Sequence, residues 1–159
     1  MNRPSMEVDV YKKLLVPLDG SKNDDAVLEH VKILALDWGA AVTLIQLFRL
    51  ARAEDPFERQ VQMEEGSSGY RARERARVYL PRCEELLRGS GVVVSSEFLA
   101  TEDPEADAIV RYSEEGRFDL IVLANQDRSA IGRFFFGNIE ERVRRRSSLP
   151  VLFIQQTRS

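Results

Sequence analysis

Two stretches of the chain carry residues whose types and placing could do chemistry. The first is Asp19-Gly20-Ser21, a carboxylate and a hydroxyl at the end of the apolar run Lys12-Lys-Leu-Leu-Val-Pro-Leu18. The second runs from Asp119-Leu-Ile-Val-Leu-Ala124 through Asn125 to Phe136 and on to Gly137-Asn-Ile-Glu-Glu141. It reads as a buried strand, a long loop and a helix start. A glycine ahead of a helix leaves backbone amides bare, and the helix N-terminus adds donors and dipole, so the chemistry suggested is anion binding. Acid–base or metal chemistry has less support. Asp127 has no partner acid, histidine or metal cluster in the sequence, and a salt bridge to the neighbouring Arg128 is the favoured reading. Cys83 and His30 are the only residues of their kinds, and both fall in expected helices with packing or surface roles. An intramolecular disulfide and a multi-cysteine zinc site are excluded. No nucleophile stands with a base, so the expectation is a protein that is not an enzyme.

The elements that must position these stretches follow from hydrophobic patterning. Lys12–Leu18 is continuously apolar rather than alternating, as in a strand covered on both faces. Ser21 with Asp24 forms a capping-box-like start for a helix from about Lys22 to Trp38, with Val27, Val31, Leu34 and Trp38 on one face. Ala41–Phe48 is a second strand. Residues 49–69 are polar, contain Pro56, Gly66 and Gly69, and read as an exposed excursion with at most a helical turn. Tyr70–Arg88 is helical, kinked or restarted at Pro81, and Val92–Leu99 is a third strand. Asp103-Pro104-Glu105 opens a helix that Gly116 closes, and Asp119–Ala124 is the fourth strand. Asn138 and Glu141 form a capping box for a helix to about Arg146, and Pro150–Gln155 is the fifth strand. The order β-α-β-α-β-α-β-α-β, without an internal repeat, implies one α/β domain with a parallel sheet and right-handed crossovers. In such sheets ligands sit at the carboxyl ends of strands where strand order reverses. That rule brings the two opening stretches together, after strands one and four.

Composition sets outer limits. The 159 residues suit one domain, drawn at 11–156 behind a loose arm of residues 1–10, and 43% of them are hydrophobic, enough for a core. The 23 basic and 26 acidic residues give a net charge of −3, which offers no bulk electrostatic case for nucleic acid. Arg142, Arg144, Arg145 and Arg146 occupy a helix's last turns, where cations are favoured, and read as a solvated face. No apolar run reaches the ~18 residues of a membrane span, and Met1–Val10 lacks the apolar centre of a signal peptide, so a cytoplasmic location is expected.

Lys13-Leu-Leu-Val-Pro-Leu-Asp-Gly-Ser21, Asp119-Leu-Ile-Val122, Arg128-Ser129, Gly137 through Arg142-Val143, and Pro150-Val151 together resemble the universal stress protein family, from about Tyr11 to Ile154. The resemblance implies a Rossmann-like domain of the adenine-nucleotide α-hydrolase kind, with a five-stranded parallel sheet ordered 3-2-1-4-5 and helices on both faces. ATP-binding members are similar to a pattern Gly-x-x-Gly, nine residues, then Gly-Ser/Thr. Laid on this chain, the pattern puts Ala124 and Asp127 at the first two glycines, Gly137 at the third and Asn138 at the hydroxyl. Only Gly137 matches. Ala124 adds a methyl group, Asn138 has no hydroxyl, and Asp127 sets a carboxylate where phosphates would lie. The resemblance also implies that Pro17, Leu18 and Asp19 line the ribose and adenine side, with Leu47 in the adenine slot. Arg128 and Arg133 would be phosphate donors, and Asn125 would belong to the same nucleotide pocket. The motif is degenerate: the adenosine half is kept and the phosphate half is damaged. A Mg²⁺ bridging Asp127 to phosphates would reverse that.

The expectation is thus a non-catalytic stress-response or regulatory module without a bound cofactor, ATP or AMP being the alternative occupant of the pocket in a nucleotide switch. Rival enzyme readings fail on motif: the chain has neither a His-x-x-His nor a Ser-Gly-Gly-x-Asp signature. A phosphoacceptor receiver fails too, since Asp19 stands without an acidic neighbour and Gln155-Gln-Thr157, not a lysine, follows the last strand. In the order 3-2-1-4-5 the last strand is an edge, uncharged over Val151, Leu152, Phe153 and Ile154. Such an edge invites pairing with another chain, and the resemblance implies a homodimer through it, with any regulated client unidentified. Phe134-Phe135-Phe136 is expected to pack the loop onto the sheet.

Overall fold

The computed structural model of the protein describes residues 11–125 and 137–155. Five strands, β1 (Lys13–Pro17), β2 (Ala41–Arg49), β3 (Val94–Thr101), β4 (Leu120–Asn125) and β5 (Val151–Gln155), form one parallel sheet ordered β3-β2-β1-β4-β5. The helices are α1 (Asn23–Trp38), α2 (Pro56–Val61), α3 (Ser68–Gly89), α4 (Glu105–Glu115) and α5 (Gly137–Arg146). Strand order and helical crossovers agree with the sequence reading.

The two faces of the sheet explain the unbroken apolar runs. Leu14 and Val16 point into one core with α1 and α3, while Leu15 points into a second core with α4 and α5. Leu44 and Ile45 divide in the same way, as do Val122 and Ile121. Each such residue is sealed from solvent. Full burial of one aliphatic side chain contributes about 1.5–3 kcal/mol, so doubly covered strands hold most of the fold's apolar stabilisation.

Strand ends are set by polar groups. The carboxylate of Asp119 accepts from the amides of Lys12 (2.8 Å) and Lys13 (3.0 Å), and its own amide donates to the Lys13 carbonyl (3.0 Å). Asp119 therefore fastens the start of β1 to β4 rather than joining β4 as expected. At Gly116 a Cβ would lie 2.4 Å from the Phe118 ring, so this helix end needs a bare backbone for close packing.

One expectation holds and two change. The 49–69 excursion is mostly exposed and carries a helical turn, α2, which Asp55 caps through the Glu58 amide (2.9 Å). Gln62 there makes paired hydrogen bonds to Ala51, accepting from its amide (2.6 Å) and donating to its carbonyl (2.9 Å). Next, α3 begins at Ser68 and runs unbroken through Pro81. The carbonyl that Pro81 cannot serve belongs to Arg77, and both residues are exposed, so water can take its place. Finally, β3 starts at Val94, because Ser90, Gly91 and Val92 are spent closing α3; the Val92 amide returns to the Leu87 carbonyl (3.1 Å).

Candidate functional site

The site is built where β1 ends. Between β2 and β4 the order of connection reverses at β1, and a cavity of about 630 Å³ opens at the carboxyl ends of these three strands. Pro17, Leu18, Asp19, Leu47 and Ala124 all line it. These five residues, singled out in the sequence, thus meet in one place. Asn125 ends β4, and Gly137 and Asn138 open α5. Because α5 already includes Gly137, Asn138 falls in its first turn and not at the position before it. Asp127, Arg128, Arg133 and Phe134–Phe136 lie outside the described residues, as does the arm of residues 1–10.

The turn after β1 is organised by one buried carboxylate. The Leu18 amide still follows the sheet, donating to the Ile45 carbonyl (2.8 Å). The chain then turns at Gly20, whose φ of +80° is a left-handed conformation open to glycine at little cost. The Asp19 side chain accepts from the Ser21 amide (2.8 Å), closing an Asx turn. Asp24, in the first turn of α1 and only 1% exposed, reaches back to the same segment. It accepts from the Gly20 amide (2.8 Å) and the Asp19 amide (3.3 Å). Tyr79 of α3 donates its hydroxyl to Asp24 Oδ2 (2.5 Å). The expected Ser21–Asp24 capping box is therefore redistributed: Ser21 Oγ serves the Asn23 amide (3.2 Å), and the acid holds Asp19 and Gly20.

Burial raises the Asp24 carboxyl from 3.8 to about 6; the Tyr79 hydrogen bond opposes the rise and the Asp19 charge adds to it. Tyr79 is itself held protonated, first by burial and then by Asp24. Burial also pushes the Cys83 thiol up, which leaves it unreactive and fits the packing role read from sequence. Across the cavity Glu105 is raised by burial, with Arg49 opposing and Asp19 adding.

Among the described residues the cavity wall carries four carboxylates, Asp19, Asp24, Glu105 and Glu140, against one cation, Arg75. Leu47, Phe48, Phe98, Ile109 and Leu123 supply apolar surface. Such a wall favours a flat, weakly charged ligand over a polyanion. No group of three or more metal-ligating side chains occurs among the described residues.

A family model described as the universal stress protein family matches residues 10–155. The chain belongs to the universal stress protein family. Universal stress protein MJ0531 of Methanocaldococcus jannaschii is 26% identical, over 93% of this chain and 84% of its own length. The structure of hypothetical protein MJ0577 superposes with a TM-score of 0.73 at 22% identity, covering 94% of this chain and 99% of its own. A universal stress protein from Archaeoglobus fulgidus, solved in complex with dAMP, superposes with a TM-score of 0.63 at 18% identity, covering 91% and 98%. This universal stress protein therefore has the Rossmann-like fold that its sequence resemblance implied.

Sequence reasoning missed Asp24, Tyr79, Arg75, Glu105 and Glu140 as cavity residues. One signal was available. Tyr79 and Cys83 sit one turn apart, next to the buried stripe Ala76, Leu80 and Leu87 of α3. A hydroxyl beside such a stripe needs an internal partner, and Asp24 is that partner.

Proposed function

We propose that this universal stress protein is a non-catalytic regulatory module whose strand-end cavity takes adenosine or its monophosphate and disfavours ATP. The observation that carries the reading is the meeting of Pro17, Leu18, Asp19, Leu47 and Ala124 in one cavity with an acidic wall. Apolar surface beside Leu47 suits a purine ring, and the exposed Asp19 at the cavity edge suits a ribose hydroxyl. The dAMP complex of the Archaeoglobus fulgidus relative supports a mononucleotide as the ligand type. Against a triphosphate stand the local carboxylates and the substitution of Asp127 for a phosphate-loop glycine. Two like charges ~4 Å apart repel by about 4 kcal/mol at an effective dielectric near 20, or roughly three decades of affinity. The chain works as a homodimer, paired through the half-buried edge strand β5, and any client protein is reached from that dimer.

Isothermal titration with adenosine, AMP and ATP–Mg²⁺ tests the reading. Adenosine or AMP is expected to bind, and ATP at least about tenfold more weakly. ATP binding tighter than about 100 μM, or no binding by any of the three, overturns it.

A further inference from the structure

The clasp between Asp24, Tyr79 and the β1–α1 turn has a consequence for the cavity beyond the identity of its ligand. Asp24 is sealed from solvent yet meets three donors from two separate parts of the chain: the Asp19 and Gly20 amides of the turn and the Tyr79 hydroxyl of α3. An ionised carboxylate only accepts, and here every contact is a donor. A protonated carboxyl keeps acceptor lone pairs, but its oxygens accept more weakly than those of a carboxylate and its own O–H needs an acceptor, so the three bonds weaken. The Asp19 amide, at 3.3 Å, is the longest and the first to be lost, whereas Tyr79 can turn its hydroxyl towards Cys83, one turn along α3. Asp19 is also the residue that the turn presents to the cavity.

We propose that Asp24 and Tyr79 are positioning residues of the cavity: ionised Asp24 clasps the backbone of the ligand-facing turn, and a proton on Asp24 releases it. The groups facing Asp24 are Asp19 from the turn and Tyr79 and Cys83 from α3. Arg75, Glu105 and Glu140 line the same cavity. Burial and the Asp19 charge favour the proton, the Tyr79 hydroxyl and both turn amides oppose it, and the balance puts release near pH 6. The cavity is therefore shaped above that pH and slack below it. The same proton removes a negative charge from the wall, which would draw in an anion, so an uncharged ligand isolates the positioning effect.

The test has two arms. In the ligand-free protein, amide chemical shifts of Asp19 and Gly20 are followed by NMR from about pH 5 to about pH 8. They are expected to titrate together with a midpoint near 6. In Tyr79→Phe the midpoint moves upward, because a hydrogen bond that favours the charged form is gone. In Asp24→Asn the titration disappears. Flat amides in the wild type, a midpoint unmoved in Tyr79→Phe, or a titration that survives Asp24→Asn overturns the proposal. The second arm rests on the nucleoside reading above and uses adenosine. Its affinity is expected to fall about tenfold below the midpoint, the worth of one lost hydrogen bond. In Asp24→Asn it stays at the low-pH value throughout. Adenosine affinity that ignores pH while the amides titrate overturns the link to the cavity. If adenosine fails to bind at every pH, the nucleoside reading falls and the amide arm still decides the clasp.

Discussion

A single carboxylate illustrates how function and stability pull apart at the scale of one residue. Asp24 is 1% exposed, and burial lifts its carboxyl from 3.8 to about 6 despite three hydrogen bonds. The native state therefore holds the proton more tightly than the unfolded chain does between these two values. Stability from this group is fully present below about 3.8 and is lost as pH rises through about 6, an amount of about 3 kcal/mol. Other carboxylates make the whole-protein curve fall at low pH, so the informative quantity is the difference between wild type and Asp24→Asn. The variant is expected to gain on the wild type by up to about 3 kcal/mol in urea midpoints between pH 4 and pH 7. A difference that stays constant across this range would mean that Asp24 does not titrate there. A charge kept in place at such a cost marks a residue held for its geometry.

At the scale of elements, the strands were legible and the long-range contacts were not. Leu14–Pro17 and Leu120–Ala124 announce themselves by unbroken apolarity, because α1 and α3 cover one face and α4 and α5 the other. Alternation implied the parallel sheet and its crossovers, the family resemblance implied the strand order, and Pro17, Leu18, Asp19, Leu47 and Ala124, singled out on those grounds, line one cavity. Asp24 was read as a local cap, since capping is a pattern of neighbours, while its partner Tyr79 lies 55 positions away and only the folded chain brings it near. The excursion of residues 49–69 was legible as exposed with a helical turn, but not its closure; Gln62 folds it by pairing with Ala51, a contact without periodicity. Asp119 was legible as a position and misread as a strand residue. Its carboxylate binds two amides of the neighbouring strand, so Asp119→Ala is expected to destabilise the protein by about 1–3 kcal/mol, measured by chemical denaturation. An effect below about 0.5 kcal/mol would show that the strand start does not depend on it.

For the whole molecule, two proposals are open to direct contradiction. The edge strand β5 leaves Val151, Leu152 and Phe153 half-buried in the isolated chain, an apolar row on a strand that, among the described residues, pairs with another strand on one side only. Sedimentation at tens of micromolar is expected to give a dimer, and Phe153→Asp is expected to shift it towards monomer by about tenfold or more in dissociation constant. A monodisperse monomer of the wild type contradicts this. Ligand choice is the central matter. In the proposed reading the cavity at the switch point and the helix start at Gly137 are the frame of a nucleotide site, and Asp127 and the acidic wall oppose phosphates. The most direct measurement is the ratio of ATP to AMP affinity, taken by calorimetry on the wild type and on Asp127→Gly under identical salt and Mg²⁺. The wild-type ratio is expected to favour AMP by about tenfold or more, and in the variant ATP is expected to gain at least about tenfold. A wild type that already prefers ATP, or a ratio that Asp127→Gly leaves unchanged, would contradict this.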